Sequence, residues 1–174
     1  MKNEEDMIDV LEELRVKEGI ELRNKKIEYK KIQEQYLRTY NEVLELEIQL
    51  QRISVELKNE SSKYKKKRKI YDKSMNELFN GLNLGSDKKT ANKIYNSTKK
   101  INESQDLMQG LKSDADKLKS DLIIKTKERE LLEEQLKIIK KEIARLKEGL
   151  HRREEQLKTA KEGTIIKHND SQDR

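Results

Sequence analysis

The chain contains no cysteine, no proline and no tryptophan, and phenylalanine occurs once in 174 residues. Without cysteine there is no disulfide and no thiolate chemistry, and the redox compartment is left open. The lack of proline, together with the wealth in Glu, Lys, Leu and Ile, favours helix. Hydrophobic residues make up only 32% of the chain, too few for the single core of a compact globule. No run reaches the roughly 18–20 apolar residues of a membrane span. The opening "MKNEEDMIDVLEELR" is acidic and broken by charge, unlike a secretory signal. These features read as a soluble protein that is cytoplasmic, or exported without a cleavable signal. Four Asn-X-Ser/Thr triplets, starting at Asn59, Asn96, Asn102 and Asn169, are read as chance in an Asn- and Ser-containing chain.

What is present is charge, 43% of residues, with 40 basic side chains nearly offset by 34 acidic ones. Disorder is favoured by low hydrophobicity joined to high net charge, and here the net charge is only +6. Long helices with a narrow apolar seam are the alternative, and periodicity decides between them. Every seventh residue from Ile8 gives Ile8, Arg15, Leu22, Tyr29, Tyr36, Val43, Leu50, Leu57, Tyr64, Tyr71 and Leu78, apolar or aromatic at all but one place. Every seventh residue from Ile94 gives Ile94, Ile101, Met108, Ala115, Leu122, Arg129, Leu136, Ile143, Leu150 and Leu157. The companion series three places on, from Leu11 and from Ser97, mix apolar with polar residues. These are the a and d positions of a coiled coil, and a strict sevenfold repeat predicts left-handed supercoiling.

One stretch, "FNGLNLGSDKKT" at residues 79–90, interrupts the rhythm. Gly81 fits the residue after a helix end, and Ser86 or Asp87 fits a cap for the next helix. Asn3, followed by Glu4, Glu5 and Asp6, fits an N-cap, and Gly163 a stop. The predicted fold is all-α: a long antiparallel two-helix coiled-coil hairpin with arms at about 4–80 and 87–162. Residues 1–162 form one domain with its turn at 81–86, and 163–174 form a disordered tail. Each arm of some seventy residues would extend roughly 105 Å at ~1.5 Å per residue. With opposed residue numbers summing to about 168–171, Thr39 faces Arg129 and Glu18 faces Arg153. Gly19, Gly110 and Gly149 lie inside the arms, as weak points or as places of close approach.

Apolar residues remain after the seam is filled. They include Ile20, Ile27, Leu37, Leu44, Ile48 and Val55 on the first arm and Ile124, Leu131 and Ile138 on the second, several recurring at sevens on outer positions. Two readings stand: scattered surface apolars, or stripes that dock another helix. The candidate partner-binding residues are Leu37, Leu44, Ile48, Val55, Ile124, Leu131 and Ile138. Charge is uneven too: residues 58–100 hold 13 basic and 4 acidic side chains. The densest run supplies a basic-tip candidate in Lys63, Lys65, Lys66, Lys67, Arg68 and Lys69. Such a patch suits nucleic acid or another anionic surface, although Tyr64 and Tyr71 sit on the seam, where packing accounts for them. The nucleic-acid reading therefore ranks below a solvated helix face.

Chemistry is otherwise sparse. "GLNLGSDKKT" departs from a phosphate loop, with three residues between Gly81 and Gly85 and Ser86 where lysine is required. His151 and His168, the only histidines, are not spaced for zinc. We expect no catalytic residue, no metal and no cofactor, and a protein that is not an enzyme.

Aromatic-X-Gly at the break, here Phe79-Asn80-Gly81 with Gly85 following, resembles the Trp-X-Gly turn of small helical-hairpin proteins of type VII secretion. The plan is also similar to longer hairpin companions that bind the helical LXG domain of secreted toxins. The resemblance implies a leaderless, non-enzymatic adaptor or targeting partner lying along a toxin's helices. The chain departs from that family in having Phe for Trp and in lacking the Tyr-X-X-X-Asp/Glu export signal, since Met75 follows Tyr71 and Lys99 follows Tyr95 at that spacing. A basic-tipped hairpin is also loosely similar to stalk proteins of type III export ATPases. The expected function is a coiled-coil interaction protein binding a helical partner or a second copy. The alternatives are a structural subunit of a filament or tether complex, and a rod binding nucleic acid or an anionic surface through its basic tip.

Overall fold

The computed structural model describes the backbone of residues 2–81 and 88–172, and the side chains of 6–80 and 88–163. Two α-helices account for all of it: α1, Lys2–Gly81, and α2, Lys88–Gln172. They pack against each other as an antiparallel helical hairpin. The predicted turn residues Gly85, Ser86 and Asp87 lie outside the described residues, and Gly81 is the last residue of α1.

Two boundaries differ from the sequence expectation. α1 starts at Lys2, one residue before the expected cap Asn3. α2 does not stop at Gly163 but continues to Gln172, so the expected disordered tail is helical over most of its length. A lone glycine costs a helix only about 1 kcal/mol relative to alanine, and no proline follows to block the next turn. Four hydroxyl side chains inside the helices are satisfied locally. Ser62, Thr98, Ser120 and Thr159 each donate to the carbonyl four residues earlier.

The sevenfold seam is the organising feature. Among the described a and d positions of α1 only Arg15 is exposed, and on α2 none is. Most are half-buried, because a two-helix seam covers one strip of each helix and leaves the strip's edges wet. The contacts divide the chain into two compact units: Met1–Thr39 with Glu128–Arg174, and Tyr40–Lys127. In the first, Leu22, Ile139 and Leu157 are buried along with Thr39. The expected partner of Thr39, Arg129, is half-buried. The expected Glu18–Arg153 pair forms, with Arg153 Nε 3.4 Å from Glu18 Oε1. Lys25 Nζ reaches Glu142 Oε2 at 2.9 Å, and Lys161 Nζ donates to Glu12 Oε1 at 2.6 Å. The second unit buries Val43 and Ile101 together with Glu60, Ser74 and Ser104. Lys125 Nζ reaches Glu42 Oε2 there at 2.8 Å.

Two of the interior glycines are not places of close approach. A Cβ built on Gly19 or Gly110 meets nothing within 4 Å, and one on Gly149 comes no nearer than 3.9 Å to Glu18 Oε2.

Candidate functional site

Helical geometry sorts the candidate residues before any contact is considered. On a helix whose a and d positions face its partner, position f points directly away. Positions b and e lie on one flank, and c and g on the other. In an antiparallel pair the e flanks of both helices share a face, and so do the g flanks. The interhelical ion pairs follow this order: Glu12 and Lys161 are both e residues, while Lys25 at d reaches Glu142 at g.

All seven partner-binding candidates are exposed, from 40% for Leu44 to 66% for Leu131. They do not form one surface. In the Tyr40–Lys127 unit, Leu44 sits at b and Ile48 and Val55 at f, on the back of α1. Ile124 sits at c and opens onto the other flank. There it lines a groove of about 340 Å³ with Glu42, Glu45, Leu46, Gln49, Asp121 and Lys125. In the other unit Leu37 is a b residue whereas Leu131 and Ile138 are c residues, again on opposite flanks.

Sequence reasoning missed the residues that enlarge the Leu44 row. Tyr40, at e, is 38% exposed, and Ile123, at b on α2, is 57% exposed. Ile123 stands level with Leu44, in the alignment that pairs Glu42 with Lys125. Together Tyr40, Leu44, Ile48 and Ile123 put apolar side chains on one side of this unit. The available signal was the adjacent pair Ile123-Ile124, which must place one apolar residue on each flank.

The basic run is not a patch either. Seven consecutive residues visit every position of a heptad, so Lys63 to Lys69 surround α1. Lys63 and Lys67 turn to Glu60, with Nζ–O distances of 3.4 and 3.5 Å. Arg68 pairs with Asp72 at 3.2 Å, with its guanidinium 5.3 Å from the centre of the Tyr71 ring. Lys65, Lys66 and Lys69 are exposed.

Glu60 is the most buried carboxylate among the described residues, at a d position of the seam. Ser104 Oγ donates to its Oε1 from the facing helix. That hydrogen bond, followed by Lys63 and Lys67, holds the Glu60 carboxyl below its ordinary value, although burial opposes the shift. Gln105 Nε2 donates to the Tyr64 hydroxyl at 3.2 Å one turn away. Elsewhere, the Lys161 hydrogen bond lowers Glu12, and the hydrogen bonds that Lys25 donates to Glu142 and Glu28 raise Lys25. Lys137 is raised by Glu134 and Glu133 on its own helix. Acids paired with basic groups on the facing helix, such as Glu142 with Lys25, Glu18 with Arg153 and Glu12 with Lys161, hold the two arms together.

At the break, Phe79 is 61% exposed and Gly81 closes α1. Among the described residues no group of three or more His, Cys, Asp or Glu is placed to hold a metal ion. No described helix is long and apolar enough to cross a membrane. No protein-family model, no curated protein and no solved structure matches the chain.

Proposed function

We propose that the protein is a non-enzymatic interaction module whose outer apolar rows take a helix from another chain. The observation that carries this reading is the row Leu44, Ile48 and Val55 on the back of α1, exposed by 40–53% and spaced by four and seven residues. That spacing repeats the rhythm of the seam on the side away from it, which is what a third helix requires. Tyr40 and Ile123 widen the row at one height, so an incoming helix would touch both arms. The specific form of the proposal is an adaptor for the helical domain of a type VII-secreted toxin. It is supported by the resemblance at Phe79-Asn80-Gly81 and by the exposure of Phe79, which leaves the aromatic ring accessible at the break.

The test is co-expression of the full chain with the LXG helical domain of a toxin encoded beside it, followed by light scattering of the purified complex. A stoichiometric complex that is lost on Leu44→Ser, Ile48→Ser and Val55→Ser together supports the adaptor. A complex untouched by these changes removes the row from the interface. Assembly of the chain with itself through the same residues, with no toxin domain bound, would assign the row to a second copy and end the adaptor reading.

A further inference from the structure

The groove of the Tyr40–Lys127 unit identifies which residues share the c/g face, because Glu42, Glu45, Gln49, Asp121 and Ile124 all line it. Seven-residue steps from Glu42 and Gln49 lead to Lys63 and Ile70, and steps from Glu45 lead to Lys66 and Lys73. Backward steps from Asp121 lead to Leu107, Lys100 and Lys93, and from Ile124 to Glu103 and Lys89. Seam residues Leu57, Tyr64, Tyr71 and Leu78 on α1 and Ile94, Ile101, Met108 and Ala115 on α2 are all covered. The repeat therefore runs without a slip, and the face continues unbroken from the groove to these lysines.

The face changes character along its length. Beside the groove it carries Glu42, Glu45, Glu56, Asp114 and Asp121 against Arg52 and Lys117. Further on it carries Lys63, Lys66, Lys73, Lys89, Lys93 and Lys100 against Glu77 and Glu103, with Lys63 also paired to Glu60 of the seam. Lys63 to Lys73 spans ~15 Å along α1 at ~1.5 Å per residue, and the axis of α2, which carries the facing lysines, runs about 8–10 Å away across the seam. Ile70, 60% exposed, sits inside this array, and Leu107, 52% exposed, at its edge. The aromatics that could stack on bases, Phe79 and Tyr95, occupy b positions and belong to the opposite face.

Ammonium groups around protruding aliphatic side chains suit one kind of surface better than another. A nucleic acid backbone offers phosphates but nothing apolar for Ile70 to enter. An anionic bilayer offers both, headgroup charge for the lysines and an acyl boundary for the aliphatics. We propose that the c/g face formed by residues 63–80 and 88–100 holds the hairpin against a membrane surface rich in anionic lipid. Helix docking is a separate matter, since its row lies on the b and f positions of α1.

The test is flotation of the full chain with phosphatidylcholine vesicles containing about 30 mol% phosphatidylserine, set against phosphatidylcholine alone. Binding is expected to the anionic vesicles only, and to be lost at about 1 M salt, where the Debye length is ~3 Å. Lys66→Gln, Lys73→Gln and Lys93→Gln together should weaken it about 100-fold, at roughly fivefold per lysine. Lys58→Gln, Lys65→Gln and Lys88→Gln, an equal charge loss from b positions, should leave it within a few-fold of the parent. Ile70→Ser should weaken vesicle binding several-fold. Equal loss from the two lysine triples, equal binding to neutral vesicles, or an inert Ile70→Ser would each overturn the proposal. So would duplex DNA bound more tightly than the anionic vesicles, which would give the face to nucleic acid.

Discussion

Replacing Gly19 and Gly110 by alanine should stabilise the protein. A Cβ at either position meets no atom within 4 Å, so the methyl group enters without strain. The gain is the helix-propensity difference, about 0.8–1.0 kcal/mol per site, which comes from backbone freedom that glycine retains in the unfolded chain and alanine does not. The sites lie in different compact units, so the effects should add. The pair is then worth about 1.6–2 kcal/mol, or roughly 3–8 °C in Tm for a chain of this length. Gly149→Ala tests the geometry from the other direction. Its Cβ would lie 3.9 Å from Glu18 Oε2, a buried oxygen without a hydrogen-bond partner. The methyl fits but cuts that oxygen off further from water, so its gain should be the smallest of the three. Urea denaturation followed by circular dichroism measures each midpoint, with an unchanged m-value showing that only stability moved. A loss of stability at Gly19 or Gly110 would refute the argument, because it would mean that something in solution occupies the space beside the glycine.

Other outcomes follow from the seam and its charges. Val43→Ala should cost about 2–3 kcal/mol, since two methyl groups at ~0.8 kcal/mol each are lost and a cavity is left, whereas Leu37→Ala should stay within about 0.5 kcal/mol. Thermal melts of both variants check the contrast between a residue 1% exposed and one 53% exposed. The lowered Glu60 and Glu12 carboxyls contribute stability above their ordinary value of 4.5 that is lost as pH falls through their lower folded values. An acid titration of Tm should therefore be shallower in Glu60→Gln, and an unchanged acid limb would exclude Glu60 as a contributor. Lys25 has the opposite sign: its contribution is full below 10.5 and disappears as pH rises through its raised folded value, so Lys25→Met should flatten the alkaline limb. A double-mutant cycle on Glu18 and Arg153 should give a coupling of about 1 kcal/mol, and zero coupling would reduce the pair to a surface coincidence.

The seam was legible because burial in a two-helix pair repeats every seven residues whatever the side chains are. Val43, Ile101 and Leu157 could be read as seam residues from spacing alone. The helix end was not legible, because glycine weakens a helix without stopping it, as Gly163 illustrates. Nor was the Glu60–Ser104 contact. An offset near 168–171 puts Glu60 opposite Met108 to Leu111, and only the three-dimensional reach of a side chain along the helix brings it to Ser104. The basic run misled for a related reason. Neighbours in sequence scatter around a helix, and the lysines that share a face, such as Lys66, Lys73 and Lys93, are seven residues apart or on different arms.

The polar layers have a consequence for how the arms find each other. Hydrocarbon repeated every seven residues would let α2 slip by one heptad and still meet apolar partners. Such a slip would set Glu60 against Leu111 or Ser97 instead of Ser104, and Glu18 against Leu146 or Ala160 instead of Arg153. A leucine or alanine opposite a seam carboxylate leaves its charge stranded among methyl groups. These few charges work as notches on an otherwise uniform zipper, and filling them with leucine would yield a tighter closure with no single place to shut.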